Sequence, residues 1–99
     1  MKRTLNVSAY KFAQLSDTGV LQQRIRAEAE ARRLKGTVLL AGEGINIVLA
    51  GDAAPLRDFM AWLRADPRLA DLATQESWSD AAPFARLLVK VKREIIRMD

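Results

Sequence analysis

The chain has 99 residues, which is enough for one packed domain and too few for two. Hydrophobic residues make up 49% and charged residues 28% of it, which excludes a disordered chain of low hydrophobicity. There is no cysteine and no histidine, so disulfides, thiolate nucleophiles and the commonest general base are excluded. We therefore predict a single soluble domain over 1–99, with no metal site and no cofactor.

The net charge of +4 is divided unevenly along the chain. Residues 1–35 carry +5, residues 36–85 carry −4 and residues 86–99 carry +3. In the last segment cations alternate with aliphatic residues, which indicates a basic strand rather than a solvated tail. Such a strand is either a binding surface for phosphate groups or a sheet edge protected by charge. The candidate phosphate contacts are Arg86, Lys90, Lys92 and Arg93.

The sequence gives no sign of membrane insertion or export. Its apolar runs are a handful of residues long, far below the ~20 that a membrane-spanning helix needs. The first residues carry charge but no apolar segment before a small-residue cleavage site, which a signal peptide would have. We expect no membrane contact and a cytoplasmic location.

The first third of the chain predicts a strand followed by a helix. Apolar residues alternate with others from Leu5 to Phe12, the period of a strand. Helical spacing follows up to Lys35, with Ser16 or Asp17 as the cap and Gly36 as the stop.

The remainder predicts a hairpin, a second helix and two strands. Two apolar, β-branched runs at 37–41 and 45–50 flank glycines, which supply the positive φ values of a tight turn. Asp52 caps a helix that ends before Pro67. Strands are then expected at 72–78 and 84–96.

This β-α-β-β-α-β order with one further strand predicts an α+β fold. It is the ferredoxin-like split β-α-β arrangement, an antiparallel sheet with two helices on one face. The alternation predicts which strand residues face the helices: Leu5, Val7, Ala9, Leu87, Val89 and Val91. The residues that the same alternation predicts on the opposite face are Asn6, Ser8, Tyr10, Phe12, Arg86, Leu88, Lys90 and Lys92.

Two interpretations fit the aromatic residues of that face. Tyr10 and Phe12 resemble the stacking surfaces on which proteins bind single-stranded RNA, with lysines beside them for phosphates. The same pair could equally pack under another domain, because an exposed apolar patch usually marks an interface.

Two short motifs contain residue types that can take part in chemistry. The first contains Gly42, Glu43, Gly44 and Asn46, but it joins two strands and lacks the remaining residues of a phosphate-binding loop, so a hairpin turn is favoured. The second runs from Glu76 through Trp78 to Asp80. A serine there has no histidine to activate it, and turn capping is the favoured interpretation.

Several segments together resemble the N-terminal domain of the rhodanese-related tRNA uridine hydroxylase family, also known as UPF0176. The resemblance covers nearly the whole chain, in order, and is carried by residues 6–12, 35–46, 76–80, 83–84 and 89–96. It implies an acylphosphatase-like form of the ferredoxin fold, in agreement with the strand order.

The resemblance also implies a function for the whole protein. In that family the domain precedes a rhodanese domain with a catalytic cysteine, and the protein uses oxygen to hydroxylate the wobble uridine of bacterial tRNAs. The catalytic cysteine has no counterpart in this chain. We therefore expect a non-catalytic domain that is either excised, as the family context favours, or naturally short, and whose partners are tRNA and the rhodanese domain. Its motif residues have no assigned role: Gly42, Glu43, Gly44, Asn46, Glu76, Trp78 and Asp80.

Three hypotheses follow. The leading one is an accessory domain that positions tRNA, and the second is a structural module that packs on the rhodanese domain without touching RNA. The third is a small enzyme of acylphosphatase type. Acylphosphatases hold phosphate with an arginine in the loop after the first strand and an asparagine on a later strand. Residues 13–19 contain no arginine, so we do not expect Asn46 to share in binding a phosphate.

Overall fold

The computed structural model describes residues 3–93. Its elements are β1 (Thr4–Phe12), α1 (Thr18–Ala31), β2 (Lys35–Ala41), β3 (Gly44–Gly51), α2 (Ala53–Arg64), a 3-10 turn (Pro67–Leu69), β4 (Thr74–Ser79) and β5 (Leu87–Val91). The predicted order of strands and helices is confirmed.

The five strands form one sheet in the order β4-β1-β3-β2-β5. The pairs β1–β4, β1–β3 and β2–β3 are antiparallel, which confirms the split β-α-β arrangement. The additional strand β5 pairs parallel to β2, so the sheet is mixed. Since β4 ends beside the start of β1, residues 80–86 can cross that end of the sheet and enter β5 in the direction of β2.

The core lies between the sheet and the two helices. Strand residues of one parity are buried there, including Leu5, Val7 and Ala9 of β1, as the alternation predicts. Both helices supply apolar stripes to the same core: Leu21, Ile25 and Ala29 from α1, and Leu56, Phe59, Met60 and Leu63 from α2. On β5 Val89 is buried, whereas Val91, which pairs with the buried Leu40 on the predicted face, still has 41% of its surface exposed.

The end of α1 differs from the prediction. The helix stops at Ala31, and the chain turns at Arg33, whose φ is 58°. Gly36 is therefore no helix stop but a residue of β2, and Lys35 is the first residue of that strand. Gly36 has a φ of 126°, and a Cβ placed on it would lie 2.1 Å from the carbonyl oxygen of Val48. Glycine is required because β3 approaches β2 so closely.

The predicted caps and strand limits also change. Asp17 and Asp52 stand at the N-cap positions, but neither forms a side-chain cap hydrogen bond. Within the hairpin turn only Gly44 has a positive φ, 155°. Strands β4 and β5 are shorter than expected. The predicted extension of β5 over 94–96 lies outside the described residues.

Replacing Gly36 by alanine should lower the free energy of unfolding by at least about 2 kcal/mol, because the added Cβ meets backbone and the φ is strained. Urea denaturation followed by tryptophan fluorescence measures this. Gly19→Ala is the matched control, since a Cβ at Gly19 meets nothing within 4 Å and alanine favours the helix. Equal stability of the two variants would contradict the account of Gly36.

Candidate nucleic-acid interface

The sheet face opposite the helices is the candidate site. We define the open face by the strand residues that point away from the core: Asn6, Ser8, Tyr10, Phe12, Lys35, Thr37, Leu39, Asn46, Val48, Gln75, Ser77, Leu88 and Lys90. Its aromatic residues are well exposed, Tyr10 at 57% and Phe12 at 52%. Towards the middle of the sheet Leu39, Asn46 and Val48 are half-buried. The sequence therefore placed both aromatic residues on the correct face.

Strand pairing brings the aromatic residues and the basic strand into register. Tyr10 pairs with Asn46 on β3, Asn46 with Leu39 on β2, and Leu39 with Lys90 on β5. These four residues form one row across the open face. Tyr10 and Lys90 are separated by three inter-strand spacings, about 14 Å. The two groups thus share the face without touching each other.

The strand positions of the open face carry no acidic side chain within the described residues. Lys35 and Lys90 are exposed there, and neither belongs to an ion pair formed within residues 3–93. The ion pairs of this part of the chain lie elsewhere, as in Arg32 with Glu28 and Asp58. The open face is consequently a surface of positive charge.

The four candidate phosphate contacts lie on and around β5. The carbonyl of Arg86 accepts a hydrogen bond from the Gly36 N–H at 3.0 Å, and the Lys92 N–H donates to the Leu40 carbonyl at 2.6 Å. Both residues thereby extend the parallel pairing to β2. The strand parity places Arg86 and Lys92 on the same side as Lys90, and all are exposed. Arg93 is exposed just beyond the strand.

The two aromatic rings contact each other edge to face. The ring centroids of Tyr10 and Phe12 lie 6.3 Å apart, and the ring planes make an angle of 82°. Rings at right angles cannot both be parallel to one stack of bases. One ring can therefore offer its face to a planar ligand while the other supports it from the side.

The Gly42–Asn46 motif forms the hairpin turn that the sequence favours. Its backbone carbonyls are used within the fold: Gly42 accepts a hydrogen bond from the Leu15 N–H and Glu43 from the Ala13 N–H, both at 2.9 Å. The turn is thus attached to the β1–α1 connection. Gly44 and Asn46 belong to β3 and lie opposite Phe12 and Tyr10. Part of this motif therefore borders the open face.

Glu76 and Trp78 of the second motif lie on the side of the sheet away from the open face, whereas Ser77 between them belongs to that face. Glu76 pairs with Arg57 of α2 at 2.9 Å, and this hydrogen bond lowers the pKa of the Glu76 carboxyl group. The Trp78 ring lies near the guanidinium carbons of Arg57 at 5.7 Å and Arg3 at 5.9 Å. Glu76 and Trp78 pair with buried residues of β1, which turns both toward the helix side. Asp80 is exposed after the strand.

Ser79 has the structural role that the sequence favours. Its hydroxyl accepts a hydrogen bond from the Asn6 side-chain amide at 3.0 Å and donates one to the Ala81 carbonyl at 2.8 Å. These bonds fix the turn after β4. The hydroxyl is therefore occupied in capping the turn rather than held beside a base.

Sequence reasoning missed Lys35, Ser8 and Gln75 as candidate site residues. The helical spacing puts Lys35 at the end of the first helix, although Lys35, Thr37 and Leu39 alternate with buried residues as a strand does. The alternation of β1 predicts Ser8 on the open face but gives it no role. Gln75 pairs with Ser8 across β4 and β1, a contact that depends on strand order.

Arg68 holds the β1–α1 connection against the 3-10 turn. Its guanidinium forms ion pairs at 2.7 Å with Asp17 on one side and Asp66 on the other. Hydrogen bonds from Arg68 lower the pKa of both carboxyl groups. An acidic side chain thus stands in the β1–α1 connection, which contains no arginine of its own. This arrangement does not favour an anion there.

Comparison with solved structures defines the class of the domain. Acylphosphatase from Bacillus subtilis is similar with a TM-score of 0.64 at 18% identity, over 90% of this chain and 98% of that one. A second similar structure is BlrP1 BLUF, and BlrP1 is a protein of Klebsiella pneumoniae. Its TM-score is 0.74 at 17% identity, over 94% of this chain and 66% of that one. The chain is an α+β domain of the acylphosphatase-like, ferredoxin-type fold.

The particular family follows from the sequence comparison. The chain belongs to the family of UPF0176 acylphosphatase-like domains, which matches residues 4–95. A curated relative, the tRNA uridine(34) hydroxylase of Variovorax paradoxus (strain S110), is 58% identical over 99 residues. That match covers 100% of this chain and 38% of the relative. The chain thus spans well under half the length of that relative.

Arg68→Gln should destabilise the domain at pH 7 and have little effect at low pH. Asp17 and Asp66 have lowered pKa values in the folded state, so their contribution to stability is complete above the unfolded value of 3.8 and is lost as the pH falls through the folded values. Urea midpoints of both proteins should therefore converge between about pH 4 and pH 2.

The control for this experiment is Arg86→Gln, which removes an exposed cation without breaking an ion pair of the described residues. Its urea midpoint should follow that of the unmodified chain at every pH. If the urea midpoints of Arg68→Gln and the unmodified chain differed by a constant amount down to pH 2, the carboxyl groups of Asp17 and Asp66 would not be the cause of the destabilisation.

Proposed function

We propose that this chain is a non-catalytic accessory domain of a tRNA uridine-34 hydroxylase and that it positions tRNA through its basic strand and open face. The relative that is 58% identical supports the biological context, since its name gives both tRNA and uridine 34. Because the chain spans 38% of that relative, hydroxylation itself is assigned to the rest of the protein. A cytoplasmic location belongs to the same proposal.

The observation that carries the proposal is the row from Tyr10 to Lys90. The row connects an exposed aromatic ring with an exposed cation on one continuous face. Within residues 3–93, none of the strand residues of this face is acidic. Single-stranded nucleic acids bind surfaces of this composition, in which cations take the phosphates and aromatic rings take the bases. Sheets in RNA-binding proteins use their aromatic residues in this way.

Each group of residues has a separate task in this mechanism. Arg86, Lys90, Lys92 and Arg93 contact phosphates, which supplies affinity independent of sequence. Tyr10 and Phe12 contact the bases. Phosphate contacts release bound counterions, so binding should weaken steeply as salt rises. The domain would orient the tRNA while another part of the protein performs the reaction.

The non-catalytic assignment has a chemical reason. Hydroxylation of a uridine with oxygen requires a group that exchanges electrons with oxygen, and the chain has neither a cysteine thiol nor a histidine to serve in such a centre. Following the family resemblance, we assign the reaction to the rhodanese domain with its cysteine. The exposed pair Tyr10 and Phe12 also suits the second hypothesis, in which that domain covers the open face.

The double variant Lys90→Glu, Lys92→Glu should weaken binding of bacterial tRNA at least about tenfold at about 100 mM salt. The slope of log affinity against log salt should decrease by about 2, because two phosphate contacts are lost. Fluorescence anisotropy with labelled tRNA measures both quantities, and circular dichroism checks that the variant is folded.

The matched control is Arg24→Glu, Arg33→Glu, which makes the same change of net charge away from β5. Arg24 lies on α1, and Arg33 lies in the turn after it. This variant should retain most of the affinity and the full salt slope. An equal loss in both variants would mean that net charge alone attracts tRNA. Unchanged binding by the β5 variant, with open-face signals that respond to an added rhodanese domain instead, would favour the structural module.

A separate activity measurement addresses the acylphosphatase alternative. We expect no hydrolysis of benzoyl phosphate above the uncatalysed rate, even at high protein concentration. The reason is that the β1–α1 connection lacks an arginine and holds the Asp17 carboxylate, while the Ala13 and Leu15 N–H groups are bonded to the hairpin turn. Saturable turnover that disappears in an Asn46→Ala variant would contradict the non-catalytic assignment.

A further inference from the structure

A shallow groove of about 630 Å³ lies on the open face beside Tyr10. Its volume is within the range of about 300–1,000 Å³ that is typical of small-ligand pockets. The lining residues come from β1, β3, β4 and the segment before β4: Ser8, Ala9, Tyr10, Asn46, Val48, Ala73, Thr74 and Gln75. None of them is charged. The groove therefore suits a neutral ligand that combines an apolar face with polar edges.

The groove has a ring on one side and an apolar floor. Tyr10 lines it, whereas Phe12 does not, and the two ring planes are nearly perpendicular. Tyr10 is thus the ring that can offer a stacking face to a ligand in the groove, and Phe12 supports it from the side. Val48 provides a half-buried aliphatic floor. The groove therefore offers one stacking face, that of Tyr10, to a planar ligand.

Polar groups meet the groove on the side of β4. Gln75 lies directly across from Ser8 in the β1–β4 pairing, and both side chains are exposed. The amide of Gln75 offers both a donor and an acceptor, and the Ser8 hydroxyl offers either. A nucleobase presents that combination along its Watson–Crick edge. A carboxylate or phosphate would find no cation in this groove.

We propose that the groove binds a single unpaired nucleobase of RNA, stacked on Tyr10 and hydrogen-bonded by Gln75 and Ser8. From that nucleotide the sugar-phosphate chain of the RNA continues over its neighbours along the row toward Lys90, about 14 Å from Tyr10. This inference rests on the proposed function and deepens it. It predicts that the domain selects an unpaired tRNA segment, in addition to attracting phosphates.

The test compares single-stranded and double-stranded RNA by amide NMR of the 99-residue chain. A uridine hexamer and an adenosine hexamer should both shift the signals of Ser8, Tyr10 and Gln75. A blunt RNA duplex with a similar number of phosphates should shift only signals around β5, because its bases are stacked and paired. Identical shifts from the duplex and from the hexamers would overturn the base-binding groove.

Substitutions at Tyr10 test the stacking. Tyr10→Ala should weaken binding of the better hexamer about tenfold, and Tyr10→Phe should change it less than about twofold because the ring face remains. Equal losses in both variants would overturn stacking in favour of the hydroxyl group. Affinity for the duplex should be unchanged in both, which separates this effect from a general loss of RNA binding.

Gln75→Leu provides a test that does not depend on Tyr10. It should reduce the difference in affinity between the uridine and adenosine hexamers at least about threefold, since the amide that contacts the base edge is removed. The control is Gln23→Leu, at an exposed position of α1, which should leave the difference in affinity between the two hexamers unchanged. An unaltered ratio for Gln75→Leu would overturn base recognition by this residue.

The outcomes distinguish this inference from the proposed function. If tRNA binding depends on Lys90 and Lys92 but the hexamers leave Ser8, Tyr10 and Gln75 unshifted, the groove is not a base site and the phosphate-binding role stands. If neither tRNA nor the hexamers bind, the proposed function fails and the base site fails with it.

Discussion

The antiparallel pairing of β1 with β3 is the constraint on which the rest of the molecule depends. It runs without interruption from Leu5 opposite Gly51 to Phe12 opposite Gly44. A slip by one residue would move Leu5, Val7 and Ala9 out of the core and bring the aromatic residues into it. The loss of buried apolar area makes such a slip very unfavourable. The hydrophobic core therefore also determines which side chains the open face displays.

The position of the basic strand depends on a second close contact. β2 pairs with β3, and at Gly36 the two backbones are too close for any side chain. β2 in turn aligns β5, whose Val89 reaches the core while Lys90 faces outward. The side chains of Gln22 and Arg26 on α1 both donate to the Val89 carbonyl at 2.9 Å. The outermost strand is thus held from the helix layer as well as from β2.

Sequence periodicity was sufficient to predict which residues of the central strands face the core and which residues of α2 form its buried stripe. Hydrophobic burial dominates at those positions, and it leaves a period that can be read directly. The end of α1 could not be predicted in the same way, because Gly36 looks like a helix stop when the approach of β3 is unknown. The turn is made instead by Arg33, a residue type that seldom adopts a positive φ.

The candidate site, too, could be predicted only in part from local sequence patterns. The alternation of β1 put Tyr10 and Phe12 on the open face, but their alignment with Lys90 follows from the strand order, which places β3 and β2 between them. Gln75 joins the groove only because β4 lies beside β1. Asp17 had the position of a cap, yet its carboxylate binds an arginine 51 residues away in sequence. Contacts between distant segments leave no local pattern.

The distribution of charge in space explains how a chain with an acidic middle can have a basic face. The carboxylates of Asp58, Asp66, Asp71 and Glu76 pair with cations away from the open face. Most of those pairs involve the helices or the connections between elements, so they neutralise the helix side of the domain. The lysines of β2 and β5 have no such neighbours at the strand positions of the sheet. Because screening limits the influence of charges beyond about 10 Å, a ligand on the open face responds mainly to these lysines and little to the paired carboxylates.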